Sequence, residues 1–446
     1  PSVHEIYPGL KQVKDACTPQ SLAAFAWDLY SAWIKADCPK QEEWAFIALG
    51  ILGNDDTARN LTSLIRKWPG KSLYSRAAAG VDLLARIGSD IALMQIRAIA
   101  QKTPSPALQD HAYAVLDKIA AQRQLTPAEL EDRSAPTLGL NARGTLLLDF
   151  GPRQFSISLD DTWQFVVRNM AGERVSTLPE VGKKDDPALA AEAIQQFKIL
   201  KEDARTAIPQ QIRRLETAMC QRRRWTPANF RRYLVEHPLL RHLSQRLIWG
   251  VYSQQNQLLH GFRIAEDGSY SDINDQTFVL PSGDLLIGIP HIMEISVEDA
   301  AAFAQILDDY ALLSPFRQLS RTRSALTPEE RSATRLYRWD KQTCASGRVM
   351  GLTAKGWLRG APGYENKINY LLKPLGEWTL VLDLNEGFKA GMPPDTLSAQ
   401  QTFITAWLWH GQGRDYGKDW RQENPFSVVD EVTACELIND INSLFE

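Results

Sequence analysis

The chain has 446 residues and a formal net charge of −3, with 44% hydrophobic and 23% charged residues. That balance excludes wholesale disorder, collagen and coiled-coil classes, and no apolar run of about 18 residues is present to cross a membrane. The small net charge hides segregated blocks: residues 1–135 carry 15 basic and 15 acidic side chains, 136–204 carry 8 and 10, 205–246 carry 10 and 2, and 247–446 carry 17 and 26. Every basic residue of 205–246 is arginine. Five cysteines (Cys17, Cys38, Cys220, Cys344 and Cys435) form no CxxC pair. This predicts reduced thiols in the cytoplasm, with no disulfide and no metal site. The first residue is Pro1 and no export signal follows it, so the sequence reads as a piece of a longer protein.

Residues 1–135 predict paired helices with an internal repeat. Leu49-Gly50-Ile51-Leu52-Gly53-Asn54-Asp55 aligns with Leu84-Ala85-Arg86-Ile87-Gly88-Ser89-Asp90 at an offset of 35 residues, and Leu61 and Leu64 then fall on Ile96 and Ile99. In each unit the glycine is expected to close one helix and the aspartate to cap the next. A period in the thirties with paired helices predicts an α-solenoid of HEAT type. Thr126-Pro127-Ala128-Glu129 is a capping box that opens a short helix. The period then becomes two, in Leu146, Leu148 and Phe150, in Phe155, Ile157 and Leu159, and in Trp163, Phe165 and Val167. This predicts a three-stranded antiparallel meander. Asp186-Pro187 opens a helix with Leu189, Ala193, Phe197, Leu200 and Ala204 on one stripe. Pro209 is expected to break or kink it, leaving Ile212, Leu215 and Met219 on a second helix. Strand patterns at 247–252, 258–264, 277–280, 285–289 and 378–384, with helices capped by Ser296 and Thr327, complete the chain. The expected organisation is multidomain: an N-terminal α-solenoid of HEAT-like helix pairs over 1–135, then an α+β domain with antiparallel strands over 136–446.

Motifs of known chemistry are missing from the sequence. No GxGxxG, HExxH or GxSxG occurs, and Gly351 to Trp357 is half a P-loop without the Lys and Ser/Thr that would reach phosphate and metal. Asp267 to Asp272 alternates oxygen ligands but lacks the glycine of a calcium loop, so it reads as a hairpin turn. His237, His242 and His291 read as structural histidines. No cofactor and no metal is expected. Were the chain an enzyme, its acid and base groups would come from Asp308, Asp309, His237 or His291.

The constellation with physical force is the arginine-rich segment. Arg213, Arg214, Arg222, Arg223, Arg224, Arg231 and Arg232 are candidate anion- or partner-binding residues, since a guanidinium fork suits carboxylate and phosphate. Drawn as one continuing helix, Arg222 and Arg223 fall close to the apolar face of Ile212, Leu215 and Met219. Three readings follow. The helix ends near Cys220 and the arginines reach solvent; they pair with carboxylates of the acidic 247–446 region; or they line an anion or nucleic-acid surface. An unpaired buried guanidinium is too costly to tolerate, so at least one is expected to pair with an Asp or Glu beyond residue 246.

Several blocks also occur in a recognisable order: Leu178-Pro179 with Gly182 to Asp186, Arg214-Leu215-Glu216, Arg224-Trp225, His237-Pro238-Leu239, Leu247 to Gly250, Phe262-Arg263 with Glu266 to Gly268, and Asp309-Tyr310 with Pro315 to Arg321. The set resembles the C-terminal domain of bacterial molybdate-metabolism-regulator-like (MolR-like) proteins, a domain of unknown function that follows HEAT-like repeats. The similarity spans about 140–325 and extends more loosely to the C-terminus. It implies longer relatives that begin with a WGR domain and are encoded beside a MoxR-type AAA+ ATPase and a von Willebrand A protein. It supplies no catalytic residues. The chain is therefore expected to be a non-enzymatic scaffold, adaptor or regulator that recognises protein partners in an AAA+ ATPase-linked system. The alternatives are a nucleic-acid-associated regulator of molybdate metabolism using 205–246, and an enzyme of unrecognised type.

Overall fold

The structure, a computed structural model, describes residues 9–281, 283–389, 400–411 and 424–446. The chain divides into two compact units, one of Pro1–Arg214 with Ala228–Arg246 and one of Leu215–Pro227 with Leu247–Glu446. Among the described residues, no helix is long and apolar enough to cross a membrane.

In the first unit, helices run from Leu10–Ala16 to Pro127–Arg133. The repeated motif produces the pairs Trp44–Leu52 with Asp55–Ile65 and Tyr74–Ile87 with Asp90–Lys102. The caps sit one residue earlier than the aspartates. Asn54 accepts from Thr57 N and Ser89 from Ala92 N, and the Ser89 hydroxyl donates to Asp55 Oδ1 at 2.6 Å. This contact joins residues 34 apart in the corresponding turns of the two units. Gly88 ends its helix at φ +64, where glycine is favoured, whereas Gly53 is at φ −68 and is needed for space, since a side chain there would clash with the Leu49 carbonyl.

The solenoid expectation is corrected. The chain is multidomain α+β, and the helices of residues 10–133 are not a solenoid arm ahead of a separate α+β domain. They share one compact unit with a β-sheet and most of a long helix. The decisive feature is the helix Asp90–Lys102, in which every residue from Ile91 to Ala100 is buried. A stacked solenoid pair keeps one outer face in water. Here Ile91 and Met94 pack instead with Leu159, Ala204, Ala207, Ile208 and Leu239.

The meander carries four strands rather than three: Thr145–Asp149, Gln154–Leu159, Phe165–Asn169 and Arg174–Val175 pair antiparallel in chain order. Its apolar face packs on Ala190, Ala193, Phe197 and Leu200 of the helix Pro187–Cys220. That helix is capped by Asp186, which accepts from Ala188 N and Leu189 N. Of the expected break or kink at Pro209, the break does not occur: one helix runs through the proline. A proline inside a helix costs about 3 kcal/mol. Ala207, Ile208, Gln210, Gln211 and Leu215 around it are all buried, so packing holds the helix together.

The second unit holds two antiparallel sheets among the described residues. One has the order Arg224–Trp225, Leu286–Gly288, Ile248–Tyr252, Leu258–Ile264, Tyr270–Ser271. Residues 277–280 contribute only a bridge from Thr277 to Ser271, not the expected strand. The other sheet is built on Lys367–Leu375, Trp378–Lys389 and Gln400–His410, and the C-terminal helix Glu431–Asn442 covers it through Leu437, Ile438 and Ile441. Gln318, buried, accepts from Ile248 N and donates to the carbonyls of Ile248 and Pro290. It thereby fixes the start of a central strand against the segment that carries His291 and Glu294.

Leu84 has no exposed surface. Leu84→Ala is expected to lower the unfolding free energy by about 2–5 kcal/mol in urea denaturation, as for other large-to-small core changes.

Candidate functional site

The polar centre of the second unit begins where the long helix ends. The helix stops at Cys220, and Arg222 turns the chain with φ +53, its N–H bonded to Met219 O and that of Arg223 to Ala218 O. A residue with a side chain costs roughly 1–2 kcal/mol in this left-handed region, where glycine is at ease. The helical-wheel placement of Arg222 and Arg223 therefore does not apply. The arginines leave the helix axis instead of continuing around it.

Arg224 follows as a strand residue opposite Gly288. A side chain at 288 would meet the Arg224 side chain at 2.6–2.7 Å, so glycine there makes room for it. The guanidinium lies 3.6 Å from the centroid of Tyr252 and donates to Glu294 Oε1 at 2.6 Å. Arg222 Nε reaches the same oxygen at 3.2 Å. Glu294 Oε2 accepts from the Tyr252 hydroxyl at 3.2 Å and from His291 N at 3.0 Å. The expected pairing with a carboxylate beyond residue 246 is thus present, and it is doubled on one residue. Side-chain exposure is 6% for Arg224 and 9% for Glu294, so this is a buried pair. Burial and the adjacent Glu294 charge push the Tyr252 phenol far above its usual range, which keeps it a hydrogen donor.

A second carboxylate lies on the other side of His291. Glu436 accepts from Arg321 Nε at 2.8 Å and Nη2 at 2.9 Å, from His291 Nε2 at 3.1 Å and from the Cys220 thiol at 3.3 Å. Arg321 also reaches Glu216 at 3.0 Å. His291 is fully buried, and its Nδ1 accepts from Met293 N, which assigns the ring hydrogen to Nε2 and makes the ring a neutral donor to Glu436. Burial, then the charges of Glu436 and Glu216, push the Cys220 thiol well up despite Arg321 nearby, so it is no thiolate nucleophile. Beside this network a cavity of about 490 Å³ is lined by Arg222, Met293, Glu294, Arg331 and residues 427–432.

The structure brings Arg222, Arg223 and Arg224 together, with Arg223 over Trp225 at 4.9 Å. The other candidates belong to the first unit. Arg214 pairs with buried Asp132 at 2.8 Å, Arg231 pairs with Glu236 at the surface, Arg232 lies over Tyr233, and Arg213 is exposed. His237 bonds the carbonyl of Ala135 and caps Leu239 and Leu240. Burial lowers its pKa to about 4. Asp308 and Asp309 are exposed at the end of their helix, where Asp309 accepts from Gln305. Among the described residues, no group of three His, Cys, Asp or Glu is arranged to hold a metal. Of the partners that complete the centre, His291 and Glu294 stand three apart, the spacing of the capping box that they form. Glu436 has no local sign in the sequence.

Comparison with known proteins adds context. Residues 172–357 match the family model described as "Domain of unknown function (DUF4132)". The match takes in Arg222, Arg224, Tyr252, His291, Glu294, Arg321 and Arg331 but stops short of Glu436. The chain is 41% identical over 384 residues to "Uncharacterized protein YehI" of Escherichia coli, an alignment that covers 86% of this chain and 31% of the relative. The chain thus spans about a third of the length of the curated relative it matches. No solved structure matches it.

Glu436, ordinarily titrating near 4.5, is affected first by burial, which raises it, but the hydrogen bonds of Arg321 and His291 and the charge of Arg321 outweigh that and hold it far lower. A carboxylate depressed in the folded state stabilises fully above its unfolded value and loses that contribution as pH falls through the folded one. Stability is therefore expected to fall as pH drops below 4.5, and Glu436→Gln to flatten that slope in acid unfolding curves while lowering stability at neutral pH.

Proposed function

We propose that the chain is a non-enzymatic adaptor or scaffold that recognises protein partners. The observation that carries this reading is the saturation of its polar centre. Glu294 and Glu436 each accept four hydrogen bonds, and the neighbouring thiol and phenol are held protonated. Catalytic acids and bases are tuned toward the working pH; Glu436, Cys220 and Tyr252 are driven away from it. Ion pairing also occupies Arg214, Arg224 and Arg231 and one edge of Arg222, which weakens the case for a nucleic-acid surface on 205–246.

The MolR-like resemblance supplies a MoxR-type AAA+ ATPase and a von Willebrand A protein as partners, and the scattered cysteines suit the cytoplasm. In sedimentation of the purified chain with each purified protein, a faster complex with at least one is expected. Failure to bind either, together with duplex DNA or RNA binding at low salt that falls steeply as salt rises, would replace the adaptor by the nucleic-acid regulator. A link to molybdate would then be tested on that regulator.

A further inference from the structure

The wall of the cavity beside Arg222 carries two arginines and three carboxylates, and one edge of the Arg222 guanidinium has no partner among the described residues. Glu294 is shared by two guanidinium groups, those of Arg222 and Arg224. Its four acceptor positions are filled by these two, Tyr252 and His291 N. Two cations on one carboxylate leave about one positive charge, and Arg222 is the member that reaches water, with 32% of its side chain exposed against 6% for Arg224. Beyond Nε, Arg222 makes only a long contact of 3.5 Å from Nη2 to the carbonyl of Asn256, so Nη1 has no partner among the described residues. Arg331 lines the same cavity, and its Nη2 is held at 3.3 Å by Glu431, whose side chain is 66% exposed. Such exposed pairs are weak and exchange readily. Arg222 also occupies a backbone conformation that glycine would adopt without strain. An arginine is thus placed at a conformational cost, with one end of its fork open to a cavity.

We propose that this cavity binds a monocarboxylate carried on an apolar body. The carboxylate is received by the open edge of Arg222, with Arg331 released from Glu431 as the second donor. Met293, Val428 and Val432 receive the apolar part. The volume of about 490 Å³ falls within the range of small-ligand sites. The other residues of the wall narrow the charge. Asp430 and Glu431 line the cavity too, and Asp430 is already committed to capping Val432 N and Thr433 N. Their charges disfavour phosphate groups and polyanions, which bring two or more negative charges, and tolerate a single carboxylate. A free small acid and the C-terminal residue of a partner chain both carry this chemistry. Only the second form rests on the adaptor reading, since capture of a chain end is an established mode of peptide recognition.

The test is calorimetric titration of the full chain with four probes: N-acetyl-leucine, N-acetyl-leucinamide, an acetylated tripeptide ending in leucine with a free carboxylate, and inorganic phosphate. At least one of the two acids is expected to bind, with the amide weaker by about tenfold or more. Arg222→Gly removes the receiving group yet relieves the left-handed strain. It is expected to keep or raise the thermal midpoint while lowering acid affinity by about tenfold. Arg331→Gln, away from the strained turn, is expected to weaken binding as well. Tighter binding of the tripeptide than of N-acetyl-leucine supports the chain-end form. Equal binding supports the site with a free acid as its ligand, and the adaptor reading then stands or falls on its own sedimentation test. The proposal is overturned if neither acid binds at millimolar concentration, if acid and amide bind alike, if phosphate binds more tightly than both acids, or if Arg222→Gly leaves affinity unchanged.

Discussion

A guanidinium withdrawn from water keeps its charge and must meet a carboxylate, and this requirement organises the chain around residues 205–246. Ten arginines stand there with only two acidic side chains, so their neutralising partners must come largely from elsewhere in the sequence. In the first unit Asp132 meets Arg214 and Asp161 meets Arg246. In the second, Glu294 meets both Arg222 and Arg224. Each pair ties a distant segment to the arginine-rich stretch. The pairs thereby specify which segments meet; desolvation offsets much of their attraction, so they add less to net stability than their number suggests.

His291 joins the two acidic centres of the second unit. Its backbone N–H serves Glu294 and its ring serves Glu436, while the ring's other nitrogen caps the turn at Met293. One buried, neutral imidazole thus fixes the spacing between a carboxylate on the segment after the sheet and one on the C-terminal helix. Arg321 completes the second centre through Glu436 and Glu216. Such a network is rigid because every member has its partners. Its rigidity sets the position of Arg222 at the wall of the neighbouring cavity.

Local features were legible from the residues alone. The alternation at Leu146, Leu148 and Phe150 places the meander, and Thr126 and Thr327 form the capping boxes their spacing implies. Non-local features were not legible. Periodicity tells which face of Asp90–Lys102 is apolar but not that sheet and long helix cover it elsewhere, which is why a solenoid was expected. Pro209 argues for a break that tertiary packing overrides. The helical wheel assumed that the helix continues past Cys220, and the left-handed turn at Arg222 cancels it. Acid in the 247–446 block pointed to carboxylate partners, yet Glu294 lies 70 residues from Arg224 and Glu436 lies 145 from His291, so nothing local identifies either.

The central claim is that Glu294 holds a buried guanidinium and is not a surface ion-pair partner. A double-mutant cycle on Arg224 and Glu294, read by urea unfolding of the full chain, tests it most directly. Glu294→Ala alone is expected to cost about 3–5 kcal/mol, because it leaves Arg224 charged and buried. The cycle with Arg224→Ala should give a coupling energy of about 1–3 kcal/mol. Single losses below about 0.5 kcal/mol that simply add would place the pair among surface contacts and contradict the account.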